Sequence, residues 1–204
     1  MTETKKQTMI AEAEVFLLAD EAAMSVLTRI PRERLDSPLP PVFDMGADGP
    51  TPLRAVVAHL AYDEAWIPDL LAGRTMAEVG EDAYDGDLLG ADPEGALTHL
   101  ADAARAAART VTDRVAAVHC SYGDCETWNY FWQLNVARSL TAHDVAEHLG
   151  GRSPLSEELS RRLYEGSVGL APTWREIGVF REPVPVADGA SWRTRYLALT
   201  GRRG

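Results

Sequence analysis

The chain has 204 residues, enough for one sizeable core with a small appendage, and its 46% apolar and 25% charged residues are ordinary for a globular protein. Acidic side chains outnumber Lys and Arg by 31 to 20, which gives a net charge of −11. This excess argues against nucleic acids and anionic membranes as partners, because binding to either depends largely on cations that meet phosphates.

The first predicted element is an amphipathic helix over residues 9–30, ended by Pro31. Asp20 interrupts its apolar stripe, and we interpret this acid as lying at a wet edge of the helix, since a buried acid needs a partner. Acidic residues run through the N-terminal segment, a pattern that does not indicate a signal peptide. No apolar run approaches the roughly 20 residues that span a bilayer, so we expect a cytoplasmic protein.

Long connections flank the second predicted helix. Residues 31–50 contain five prolines and two glycines, which predicts a connection that crosses the end of a bundle. Thr51, followed by proline, is typical of a helix N-cap, and the helix should run over residues 51–73. Residues 74–93 form the next connection, and its acid-rich stretch predicts a solvated loop.

Two further helices complete a predicted bundle. The third covers residues 93–118 and contains an alanine-rich run with high helix propensity. After a turn at residues 121–126, the fourth covers residues 127–149 and ends at a pair of glycines. Four helices with two long connections and one short connection predict a helical bundle over residues 1–151.

The tail has a different pattern. Residues 154–178 predict a helix with breaks, "VFREPVPVADG" predicts an extended segment, and residues 191–199 predict a short last helix. Residues 152–204 of the tail also carry nine basic and six acidic side chains, whereas acidic side chains are in excess in the rest of the chain. We expect a mainly α fold, a four-helix bundle with a small, α/β-like C-terminal appendage packed on it.

Two features at the start of the fourth helix leave alternatives open. Cys120 and Cys125 lack a second Cys/His pair and make a poor zinc site, so we interpret them as free structural thiols. The aromatic cluster "TWNYFWQ", residues 127–133, predicts either core packing at the bundle end or the wall of an apolar pocket.

Four polar residues on the second and fourth helices are candidates for chemistry. His59 is predicted to point at or near the core side of its helix, where Asp63, one turn further on, can hold its imidazole. Asp144 and His148 are four residues apart, so they can share one cation. With His59 they would form a set suited to zinc, nickel or iron(II). Alternatively, Asp144 caps or ion-pairs locally, and His148 favours the helix C-terminus electrostatically.

Three stretches carry a resemblance to a known family. They are "LRAVVAHLA", "SYGDCETWNYFWQLNVARSLTAHDVAEHLG" and "GVFREPVPVADGASWRTRYLALTGR". They resemble the actinobacterial mycothiol-dependent maleylpyruvate isomerase-like proteins, which are part of the DinB-like four-helix superfamily. The resemblance implies a DinB-like bundle and spans most of the chain.

The resemblance also implies a metal site, of which this chain retains one position. In the family, a helix-two histidine, matched by His59, holds the metal with an acid and a histidine of helix four. Alignment of "HDVAEHLG" places the family's acid at Ala137 and its histidine at Thr141, and neither side chain can replace the missing ligand. Asp144 and His148 lie roughly 10 Å further along the axis, far beyond the ligand-distance tolerance of about 0.2 Å. We therefore favour no metal.

Three functions remain open, each with a small molecule as partner and with the chain as monomer or homodimer. The first is a metal-free isomerase, cyclase or lyase, in which His59 is the general acid or base. Asp63 or Asp144 would orient His59, and Thr141 would hydrogen-bond the substrate. The second is an isomerase or S-transferase that depends on mycothiol and on a divalent metal such as zinc, nickel or iron. The third is a non-catalytic binding protein.

Overall fold

The computed structural model describes residues 8–45 and 49–203, and these residues form a mainly helical fold. The helices of the described residues are α1 Ala11–Leu27, α2 Leu53–Leu71, α3 Met76–Val79, α4 Pro93–Ala108, α5 Thr127–His148, α6 Glu157–Ser167, α7 Ala171–Glu176 and α8 Trp192–Leu199. The strands are β1 Pro38–Leu39, β2 Thr51–Pro52, β3 Ala117–Cys120 and β4 Gly123–Glu126, in two antiparallel pairs. The predicted mainly α fold with a small appendage is thus confirmed.

The four longest helices pack together. Helix α1 lies along α5, α2 lies along α4, and α1 also contacts α4. Phe16, Ile67 and Phe131 belong to one apolar cluster between these helices, whereas Leu53 and Val145 belong to a second. None of the helices in the described part of the chain has the length and apolar character that crossing a bilayer requires.

The predicted start of the second helix was wrong. Thr51 does not cap α2, because Thr51 and Pro52 form β2 and pair with β1. The residue before the first helical turn is Pro52, which provides no side-chain cap. The proline-rich connection therefore includes a short strand pair where a helix cap was expected.

The predicted third helix was too long. Helix α4 ends at Ala108, and Val118, which we placed on its apolar stripe, lies in β3 opposite Cys125 of β4. The β-branched residues in "TVTDRV" lower helix propensity. The carbonyls of Val111 and Arg114 accept hydrogen bonds from the backbone N–H groups of Ile10 and Trp128 instead of from a continued helix. Val118 is nonetheless buried in the same cluster as Phe131.

The tail packs on α1 and α5. Leu163 of α6 and Leu197 of α8 are buried in one cluster with Trp132 and Leu140 of α5. Tyr196 of α8 is fully buried, and its hydroxyl lies 2.7 Å from the Ser139 hydroxyl. Both strand pairs lie before this tail, and residues 152–203 contain helices and an extended segment without a strand. Trp132 thus packs in the core, as one of the two interpretations of the aromatic cluster predicted.

Candidate functional site

His59 faces solvent, which corrects the prediction that it points at or near the core side of α2. Its side chain is 78% exposed, because the buried stripe of α2 runs through Val57, Leu60 and Ile67 instead. Asp63 of the same helix lies beside it, with Oδ1 3.9 Å from His59 Nε2. The imidazole is therefore accessible and has a carboxylate one turn away, as predicted for this pair.

Asp63 connects the exposed histidine with the interior of the bundle. Its Oδ2 accepts a hydrogen bond from Nη1 of Arg138, at 3.2 Å, while its other oxygen faces His59. Arg138 is on α5, so this contact joins α2 and α5. The carboxylate is thereby fixed in position between a buried cation and an accessible imidazole.

Arg138 is the centre of a buried charged cluster. Its side chain is 1% exposed, and its Nε donates to Oε1 of Glu64 at 2.7 Å. Glu64 is itself fully buried on α2. A charged pair inside a protein loses its hydration, so it needs close geometry and further hydrogen bonds to remain there. The contact with Asp63 supplies one such bond to Arg138, whose Nη2 has no partner among the described residues.

Asp20 belongs to the same cluster, so the prediction of a wet edge position was wrong. It is fully buried on α1, where Nε of Arg105 on α4 donates to its Oδ2. With Glu64 and Arg138, these residues link all four long helices through charged contacts. The helix rotation that the packing imposes turns Asp20 toward α4 rather than toward solvent.

Burial changes the protonation of the two inner acids. Desolvation raises the pKa of Glu64 to about 7, despite the lowering effect of Arg138. Desolvation also raises the pKa of Asp20, and hydrogen bonds from Arg105 and Glu64 oppose that rise. With both carboxyls ionised, Asp20 Oδ1 and Glu64 Oε2 have no donor. A proton on Glu64, donated to Asp20, supplies one.

Asp144 is bound to the C-terminal segment. Arg202 donates from Nε to Oδ1 at 2.8 Å and from Nη2 to Oδ2 at 2.7 Å. Both carboxylate oxygens are therefore engaged in an ion pair. The partner lies 58 positions away along the chain, so Asp144 is not held by the local cap or local ion pair that the alternative interpretation predicted. This geometry contradicts the prediction that Asp144 orients His59, and it leaves Asp144 unsuited to a metal.

His148 is also occupied, and the predicted metal set does not fit. His148 Nε2 lies 3.0 Å from the hydroxyl of Ser37 in the connection after α1. In residues 8–45 and 49–203, no three or more His, Cys, Asp or Glu side chains are grouped to hold a metal ion. The structure does not bring together the three predicted ligands. Asp63 lies beside His59, Arg202 binds Asp144, and Ser37 contacts His148.

Thr141 remains available for a ligand. It is half-buried on α5, as is Ala137 one turn earlier. A threonine hydroxyl has one donor hydrogen and two acceptor lone pairs, while the alanine side chain occupies little space. These are the two positions at which the resemblance places missing metal ligands.

The sequence analysis missed Arg138, Glu64 and Arg105, although a signal was present. Arg138 is buried between Leu134 and Ala142 on α5, at steps of four. Glu64 likewise lies in the buried stripe of α2, four residues after Leu60. A charged residue at a core-facing step predicts an opposite charge on a neighbouring helix, because an unpaired charge there is costly.

A separate groove of about 320 Å³ lies on the tail. Residues from α6, α8 and the extended segment line it, among them Tyr164, Val184 and Arg195. None of the predicted site residues contributes to this groove. It is therefore distinct from the arrangement around His59.

Comparisons of the chain with protein-family models, with curated proteins and with solved structures find no match.

Proposed function

We propose that the protein is a small-molecule enzyme of the DinB-like type, with a degenerate metal site and with His59 as its general acid and base. The observation that carries this proposal is the division of the Asp63 carboxylate between His59 and Arg138. One oxygen faces an accessible imidazole, while the other is held from inside the bundle. This is the arrangement expected of a positioned acid–base group.

The chemistry follows from the charges around the imidazole. Histidine is the side chain best suited to general acid–base catalysis, and the Asp63 carboxylate, 3.9 Å from Nε2, can orient the His59 ring. The hydrogen bond from Arg138 restricts the rotation of the Asp63 carboxylate, so the carboxylate keeps one orientation toward His59. Because His59 is exposed, a substrate can reach it without a rearrangement of the bundle.

The substrate would be held from α5. The Thr141 hydroxyl can donate to or accept from a polar group of the substrate, and the small side chain of Ala137 lies one turn before it on α5; both residues are half-buried. Proton transfer to and from one small molecule without a metal fits an isomerisation, a cyclisation or an elimination. Thr141 therefore takes the role of a binding residue, and His59 moves the proton.

The test compares three forms of the full chain. A metabolite extract is incubated with wild type, with His59→Ala or with the control His99→Ala. Mass spectrometry then records over time which compounds disappear and which are formed. His99 is an exposed histidine of α4, so its loss reproduces the change of surface and charge. We expect His59→Ala to lower turnover about a hundredfold or more, and His99→Ala and a chelator to leave it unchanged.

Three outcomes would contradict the proposal. Full turnover by His59→Ala would remove the assigned acid–base residue. Turnover that is lost with a chelator and restored by zinc, nickel or iron(II) would favour the metal- and mycothiol-dependent alternative. A small molecule that native mass spectrometry finds retained and chemically unchanged, with no turnover, would favour a binding protein.

A further inference from the structure

The β3–β4 hairpin brings the two cysteines together. Val118 pairs with Cys125, and Cys120 pairs with Gly123, so both cysteine side chains are on one face of the hairpin. They occupy diagonal positions across the two strands. Their sulfur atoms lie 3.8 Å apart, and both are free thiols in this structure. Bonding distance is about 2.0 Å, so the two sulfurs must come about 1.8 Å closer to form a disulfide.

The residues opposite and behind the pair favour this approach. Gly123, the direct partner of Cys120, has no side chain, and the space where a Cβ would stand is open. On the opposite face of the hairpin, His119 Nδ1 lies 2.8 Å from Oδ1 of Asp124, its register partner. This contact holds the strand register that places the two sulfurs on one side.

The thiol pair lies between the turn of the hairpin and the core. Tyr122 in the turn is 66% exposed, whereas Val118 behind the thiols is 1% exposed. Cys120 and Cys125 are half-buried and pack against the apolar cluster around Val118. Both thiols are half-buried, so part of each cysteine side chain remains accessible to solvent.

We propose that Cys120 and Cys125 are a site of reversible oxidation and form an intramolecular disulfide with a low-molecular-weight disulfide as oxidant. The Cys120 thiol gives its proton to solvent, and its sulfur attacks one sulfur of the oxidant. The oxidant's disulfide bond breaks, and the first small thiolate leaves and is protonated. The Cys125 thiol then loses its proton, and its sulfur attacks Cys120 Sγ and releases the second small thiol. Two protein thiols are oxidised, and one disulfide is reduced to two thiols.

The order of the two steps follows from the surroundings of Cys125. Burial raises the pKa of the Cys125 thiol to about 12, and the neighbouring Cys120 is the second cause of this rise. Because a thiolate is the attacking species in thiol exchange, Cys125 is a poor first nucleophile. It acts as the resolving residue, at a distance that makes the second step intramolecular.

The test uses the full chain and oxidised glutathione. After treatment and acid quenching, iodoacetamide labelling and intact mass should show that wild type loses two hydrogen atoms and both alkylatable thiols. Dithiothreitol should restore both. Cys125→Ser should accumulate one glutathione on Cys120, whereas Cys120→Ser should remain almost unmodified under the same conditions.

Phenylarsine oxide provides a second measurement that needs no oxidant. Its arsenic bonds two thiol sulfurs at once, so wild type should bind one equivalent that withstands a monothiol, and neither single variant should. Circular dichroism confirms that each variant is folded. The proposal is overturned if both wild-type thiols stay alkylatable after oxidised glutathione, if disulfide-linked dimers form instead, or if the single variants bind phenylarsine oxide as wild type does.

Discussion

Arg202 holds Asp144 through two parallel hydrogen bonds, of 2.8 Å and 2.7 Å, across 58 positions of the chain. Nη2 of Arg202 also donates to the carbonyl of Val42, so one side chain joins the C-terminal segment, α5 and the connection after α1. A planar guanidinium suits this double contact with a carboxylate. Asp144 is therefore a structural residue.

Replacement of Arg202 should weaken the whole fold. Arg202→Ala leaves the largely buried Asp144 carboxylate without its cation, and such a loss costs about 3 kcal/mol. Arg202→Lys should recover only part of it, since an ammonium cannot form the two parallel bonds. Urea unfolding measures the difference. Arg203→Ala, at the exposed neighbour, is the control, and an equal loss in both variants would contradict the assignment.

Replacement of Arg138 alone should destabilise the fold more than replacement of Arg138 together with Glu64. Arg138→Met leaves Glu64 buried without a cation, which costs about 3–5 kcal/mol. In Arg138→Met with Glu64→Leu, the buried pair becomes apolar, and most of this stability should return. A double-mutant cycle by urea unfolding at neutral pH checks the coupling. Additive losses would mean that the two side chains do not act as a pair.

Stability should fall as the pH rises across the titration of Glu64. Its folded-state pKa of about 7 exceeds the ordinary value of 4.5, so the folded state keeps a proton that the unfolded chain releases first. The stabilising contribution is therefore complete below about pH 4.5 and is lost as the pH approaches 7. Unfolding midpoints of wild type and Glu64→Gln through this window isolate the effect. A constant difference between the two proteins would contradict it.

Gly166 should not tolerate a methyl group. It lies within α6 against Trp132, and a Cβ there would overlap the buried indole ring. Gly166→Ala should therefore destabilise by about 1–3 kcal/mol despite its better helix propensity. Gly169→Ala is the matched control, because its Cβ would meet no atom within 4 Å. Thermal unfolding should show a lower midpoint for Gly166→Ala and no loss for Gly169→Ala.

Much of the fold was predictable because its signals are local. Apolar residues at steps of three and four predicted α1, α2 and α5 within a few residues of their ends, and Gly150 ends α5 in a left-handed conformation. The hairpin of β3 and β4 was missed. Its strands have four residues each, and such short apolar runs carry too little periodicity to compete with an alanine-rich helix before them.

By itself, the sequence determined the presence and order of the four long helices and the candidate polar residues, since helix periodicity depends on neighbours within a few positions. The tertiary structure alone decided which of those residues are buried and what they bind. Asp20 meets Arg105 across 85 positions, and Arg138 meets Glu64 across 74. Such partners depend on how each helix is rotated about its axis, which only packing against the other helices sets. The same rotation turns His59 outward and leaves Asp63 between it and the buried Arg138.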